Sequence, residues 1–226
     1  KGLYNVKTIL NELVNEALSN PFDGGLEFLP ETIELLFQGY YRDAQFLKNL
    51  ADISSKNHSF VEHSSNVMIF TMNYCIFSGF SDDDIRKFSL GALLHDIGRY
   101  RTHDPLLHGT EGYKLLSLFN YEKEAYVCAS HILFGLNTAE AMHLGLPACD
   151  FVPHSIEEKL VPLVDYLIEY DQPTTLDRRF SSLRERNGGN SFFSNRLDRA
   201  QQSARLFMKQ IEEEIGESVE GVVANQ

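Results

Sequence analysis

Tryptophan is absent from this 226-residue chain, and cysteine and proline are scarce, at three and seven. Cys75, Cys128 and Cys149 stand far apart, are odd in number and form no CxxC pair. That usage argues against a disulfide framework or structural zinc and fits a reducing, cytoplasmic setting. No apolar run approaches the roughly 18 to 20 residues that span a bilayer, and no basic-then-apolar leader opens the chain, so no membrane partner is expected. Basic residues are the minority: 20 Lys and Arg against 32 Asp and Glu give a formal charge of -12, an acidic surface that repels nucleic-acid polymers. A small phosphorylated ligand remains compatible, because a metal ion or a few arginines invert the field locally.

Apolar material is plentiful. A chain that is 43% hydrophobic, with sixteen Phe and ten Tyr, can bury a large core, and its length suits one domain or one domain with an appendage. The periodicity is helical nearly throughout. Residues 5–18 repeat apolar positions at three and four, and Asn20 to Gly25 break the pattern. Pro30 suits the first turn of a second helix that runs to Leu50. Further helices are expected over 63–77, from a Ser81 cap to His95, near 110–118, over 122–134, from a Ser155/Glu158 capping box to Tyr170 with a kink at Pro162, and over 195–215 before a frayed polar end. Alternating Val/Ile/Thr runs with hairpin turns are missing, so an all-α fold without a sheet is expected. Residues 1–45 read as an N-terminal helical extension and 46–226 as the main domain. The chain opens on Lys1, which fits a piece of a longer protein.

One stretch, LGALLHDIGRYRTHDPLLHG from Leu90 to Gly109, ends an apolar helix on adjacent His95 and Asp96. A buried carboxylate is costly unless it is paired or coordinates a cation. The plain alternative is a helix-end hydrogen-bonded pair, with histidine favoured at the negative end of the dipole. Other candidates follow the same logic: His63 beside Val67 and Phe70, His108 before a helix start, His131 in AYVCASHILFG, and Asp165 amid Leu163, Val164 and Leu167. Left uncompensated, a deeply buried Asp165 would cost several kcal/mol; otherwise it lies on an exposed stripe with Glu158 and Glu169. Imidazole plus carboxylate suits manganese, iron, zinc or magnesium and disfavours copper(I).

The order His63, His95-Asp96, Asp165 over roughly residues 45 to 185 resembles the HD superfamily of metal-dependent phosphohydrolases. The resemblance implies an all-α orthogonal helical bundle with a central metal site, in which these four residues bind the metal. His108 and His131 look like the extra histidines of its two-metal branch, making six metal ligands, with Asp96 bridging. It also implies one or two divalent ions, Fe or Mn foremost and Zn, Mg, Ni or Co as options. HGTEGYKLL is similar to small HD phosphohydrolases of undefined substrate, and the lead-in from Phe46 through HSSNVMIF to HD-GYP phosphodiesterases. Against the latter, no GYP follows His131, and Arg99 replaces the usual lysine. LLHG with one later histidine resembles diadenosine tetraphosphate hydrolases.

The implied activity is hydrolysis of a nucleotide or cyclic (di)nucleotide phosphodiester, the cations lowering the pKa of a water so that hydroxide attacks phosphorus. His95, Asp96 and Arg99 carry the chemistry, Arg99 as a bidentate phosphate fork or else a solvated helix-end cation. Alternatives are a catalytically silent signalling module and a di-iron oxygenase. The expected partner is a small phosphorylated molecule, with a homodimer allowed. His103 competes with His108 as a ligand; His58, His143 and His154 read as surface or capping residues. Arg178, Arg179, Arg184 and Arg186 could gate an anionic substrate or form a solvated face, and Lys123 and Gly188-Gly189 read as surface and loop.

Overall fold

The computed structural model describes residues 2–42, 60–170 and 172–224. Among these, eleven α-helices are numbered here in chain order: α1 (Gly2–Ser19), α2 (Leu29–Arg42), α3 (Phe60–Phe77), α4 (Asp82–Leu94), α5 (Leu107–Leu118), α6 (Glu122–Ser130), α7 (Thr138–His143), α8 (Ile156–Leu167), α9 (Leu176–Asn187), α10 (Ser191–Ile215) and α11 (Val219–Ala224). The fold is an all-α bundle.

Helix α3 is its axis. Every residue from Val61 to Met72 is buried, as befits a helix that neighbours surround on all sides. Helix α4 packs along it, and α1 and α8 close around it. Ser81 caps α4 by accepting the Asp84 N–H at 3.2 Å, and three aspartates in the first turn favour the positive end of the dipole. Helices α1 and α2, through Val14, Leu18, Ile33 and Phe37, share one continuous core with the later helices. At the start of α8, Ser155 and Glu158 form the expected reciprocal box, and the helix continues through Pro162.

Four expectations need correction. A small antiparallel pair exists, β1 (Ile168–Glu169) with β2 (Gln172–Pro173), because α8 ends at Leu167 and Tyr170 turns the chain at φ 61. The helix over 122–134 stops at Ser130: Leu133 and Phe134 adopt φ of 50 and 60, which break the ladder. Helix α9 forms from a Thr175 cap, and α7 from an Asn137/Glu140 capping box whose N-x-x-E pattern was there to be read. The end expected to fray contains α11. The extension of the second helix to Leu50, the 45/46 boundary, Phe46 and His58 lie outside the described residues.

Candidate metal centre

Six side chains from five helical segments meet between α3, α4, α5, α6 and α8. His63 comes from the first turn of α3, His95 and Asp96 from the end of α4, His108 from the first turn of α5, His131 from the residue after α6, and Asp165 from the last turn of α8. His63, His95, Asp96, His108 and His131 are buried, and the Asp165 side chain is 14% exposed. His63 Nε2 lies 2.9 Å from Asp165 Oδ1, and His95 Nε2 lies 4.0 Å from the same oxygen and 3.8 Å from Asp96 Oδ2. On the other side, Asp96 Oδ1 is 3.1 Å from His108 Nε2 and 3.7 Å from His131 Nε2. Ligand atoms of His63, His95 and Asp165 lie within 4.8 Å of one another, as do those of His95, Asp96 and His131.

The backbone sets the direction of each ring. His95 Nδ1 is 2.7 Å from the Ala92 carbonyl oxygen, His108 Nδ1 2.9 Å from that of Asp104, His131 Nδ1 3.3 Å from that of Val127 and His63 Nδ1 3.0 Å from that of Tyr170. A carbonyl only accepts, so each Nδ1–H donates and the Nε2 of every ring is turned toward the centre. Two consequences point to a cation. His95 Nε2 is buried with no hydrogen-bond partner. His108 and His131 set Nε2 against Nε2 at 3.1 Å, where two lone pairs repel unless a proton or a cation lies at that point.

Electrostatics agree. Burial pushes the His95 imidazole down to about 4, with Asp96 pulling partly the other way, and burial followed by the Arg99 guanidinium lowers His108. For Asp96 burial works upward, but Arg99, His95 and His108 outweigh it and hold the carboxyl well below its ordinary range. Burial also opposes ionisation of Asp165, yet the His63 hydrogen bond, His63 charge and Arg179 keep it low. The centre therefore disfavours charge on His95 and His108 while keeping Asp96 and Asp165 ionised, which suits a cation-binding set.

Glycines let the segments meet. A Cβ on Gly98 would lie 1.8 Å from the His108 carbonyl oxygen, and one on Gly109 would lie 2.4 Å from that of Cys128. The turn after Asp96 can therefore seat against the start of α5, and α5 against α6. Arg99, in that turn, places Nε 2.5 Å from Asp96 Oδ2.

All six sequence candidates for the centre come together, and Asp165 does not lie on an exposed stripe. His103 is exposed at the rim while His108 contacts Asp96. His154 is exposed, and His143 lies at the end of α7 with its ring 5.4 Å from that of Phe192. The arginine cluster divides: Arg178, Arg184 and Arg186 are exposed, whereas Arg179 turns inward, with its side chain 12% exposed and Nη2 3.8 Å from Asp165. Sequence reading missed the Tyr170 carbonyl as the orienting acceptor for His63. No residue type signals that role, since it comes from the backbone.

Residues 60–169, from α3 to β1, match the HD domain family model, a domain found in a superfamily of metal-dependent hydrolases. An uncharacterized protein of Methanocaldococcus jannaschii is 39% identical over 108 residues, covering 47% of this chain and 63% of that protein. A tRNA (cytidine(56)-2'-O)-methyltransferase of Picrophilus torridus is 35% identical over 105 residues, and one of Thermoplasma volcanium 33% over 104; each alignment covers 46% of this chain and 30% of the enzyme. The chain thus spans less than two thirds of the first relative and under a third of the methyltransferases. No solved structure matches it.

Proposed function

We propose that this protein is a metal-dependent phosphohydrolase that cleaves a nucleotide or cyclic (di)nucleotide phosphoester. The observation that carries the reading is the buried His95 Nε2, without a partner and facing two carboxylates, in a centre whose other imidazoles also present Nε2. His63, His95, Asp96 and Asp165 would hold one divalent ion, and Asp96, His108 and His131 a second. The donor set suits Fe or Mn, and also accommodates Zn, Mg, Ni or Co. Bound there, such ions polarise a phosphoryl oxygen and lower the pKa of a water to about 7.

The chain's own residues do the rest. Ala92, Asp104, Val127 and Tyr170 lock the imidazoles through their carbonyl oxygens, so the lone pairs need no reorganisation when charge develops. Arg99 holds Asp96 Oδ2 through Nε and leaves its Nη atoms free to contact a phosphoryl oxygen in the adjoining cleft. The methyl transfer named for two relatives belongs to proteins of which this chain covers 30%.

The test is product formation from mono-, di- and cyclic nucleotides, read as inorganic phosphate release or, for a cyclic substrate, as the ring-opened nucleotide, after reconstitution with Mn²⁺ or Fe²⁺ under anaerobic conditions. Product formation that falls at least 100-fold in His95→Ala and Asp96→Ala supports hydrolysis. A metal-loaded protein that forms neither phosphate nor a ring-opened nucleotide overturns it, leaving a silent module, or an oxygenase if the reduced iron form consumes dioxygen.

A further inference from the structure

Arg99 and Arg179 each border both an outer cleft of about 410 Å³ and an inner cavity of about 60 Å³ against His108, His131 and Asp165. The outer cleft is itself lined by His63 and Asp96, so a group bound there meets the six-residue centre with both guanidinium groups among its walls. Arg99 is engaged, with Nε on Asp96. Arg179 makes only longer ion pairs: Nη2 is 3.8 Å from Asp165 Oδ1, Nη1 is 3.5 Å from Glu169 Oε1, and Nε is buried with no hydrogen-bond partner. Both neighbouring acids are committed elsewhere. Asp165 Oδ1 faces His63 Nε2 at 2.9 Å, while Glu169 Oε1 accepts from Arg186 Nη2 at 2.6 Å and from the Ser182 hydroxyl at 2.7 Å.

A guanidinium carries five N–H donors in a rigid fork, and burying it with long contacts alone costs free energy that an oxyanion recovers. A phosphate matches that fork in charge and geometry. The rest of the cleft suits an aromatic group next to the phosphate. Phe60 and Tyr170 line it, and Arg186 steadies Tyr170, its guanidinium lying 5.7 Å from the ring centroid and Nη1 3.3 Å from the hydroxyl oxygen.

We propose that Arg179, on α9 and beyond the residues that match the HD domain, is the substrate-phosphate-binding residue of this cleft. It takes the phosphate of a nucleoside monophosphate opposite Arg99, with the base along Phe60 and Tyr170. The inference rests on the hydrolase reading for the nature of its ligand. Its test is calorimetric titration of AMP, and separately of inorganic phosphate, into the Mn²⁺-reconstituted wild-type, Arg179→Gln and Arg179→Lys proteins, with metal content and thermal midpoint measured alongside. Arg179→Gln is expected to weaken both ligands about 10- to 100-fold at wild-type metal content, and Arg179→Lys to recover part of the loss. Unchanged affinity in Arg179→Gln, absence of AMP binding by the wild type, or loss of metal or fold in both variants would overturn it. If AMP binds through Arg179 but no nucleotide, cyclic ones included, is hydrolysed, the hydrolase reading fails and this one stands. If nucleotides are hydrolysed with kcat/KM indifferent to Arg179→Gln, the reverse holds.

Discussion

The Nδ1–H of His95 is committed to a carbonyl and its Nε2 is sealed in the core, so a second proton would place charge where nothing solvates it. With its pKa pushed from 6.5 to about 4, the folded chain binds fewer protons than the unfolded chain between those values. By linkage, this contribution is intact above pH 6.5 and is lost as pH falls toward 4. Asp96 and Asp165, held low, add losses of the same sign only below their ordinary range near 3.8. Chelator-treated protein should therefore lose on the order of 2 kcal/mol of unfolding free energy between pH 7.5 and 5, at about 1.4 kcal/mol per unit of pH below 6.5. Urea denaturation at the two pH values measures it. His95→Gln should show a flatter dependence, and an equally steep one would assign the effect to other groups.

At the scale of elements, the centre depends on how closely α4, α5 and α6 approach. Gly98 and Gly91 lie seven residues apart and make opposite demands. A Cβ at Gly98 collides with the α5 backbone at 1.8 Å, whereas one at Gly91 meets Val127 at an ordinary 3.5 Å. Gly98→Ala should cost about 1–3 kcal/mol or more and weaken metal retention, while Gly91→Ala should be neutral or stabilise by up to about 1 kcal/mol as a helix-interior replacement. Urea midpoints and metal content of the two variants check this.

The same elements show what was legible. His95, Asp96 and Asp165 could be read because ionisable groups inside apolar helical runs demand compensation, and His63, His108 and His131 because their order completed the pattern. The short β pair was not legible: Tyr170 takes a left-handed conformation that glycine or asparagine would have signalled. Arg179 was not legible either. In a helix as charged as LDRRFSSLRERN, periodicity does not say which arginine faces the centre.

For the whole molecule, the acidic surface and the buried centre are separate systems. On the proposed function, the charge of -12 disfavours polyanions, while Arg99 and Arg179 would make a local entry for one small anion. Helices α1 and α2 on one side and α9 and α10 on the other bury Val14, Phe37, Phe180 and Phe207 in the same core as α3, so segments beyond the matched HD residues help fix its position. The proposed function rests on the convergence of six side chains that would hold a cation. Anomalous diffraction at the manganese edge from Mn²⁺-soaked crystals tests that directly. The account predicts peaks bounded by His63, His95, Asp96, His108, His131 and Asp165, lost in Asp96→Ala; an empty centre, or manganese bound only elsewhere, would contradict it.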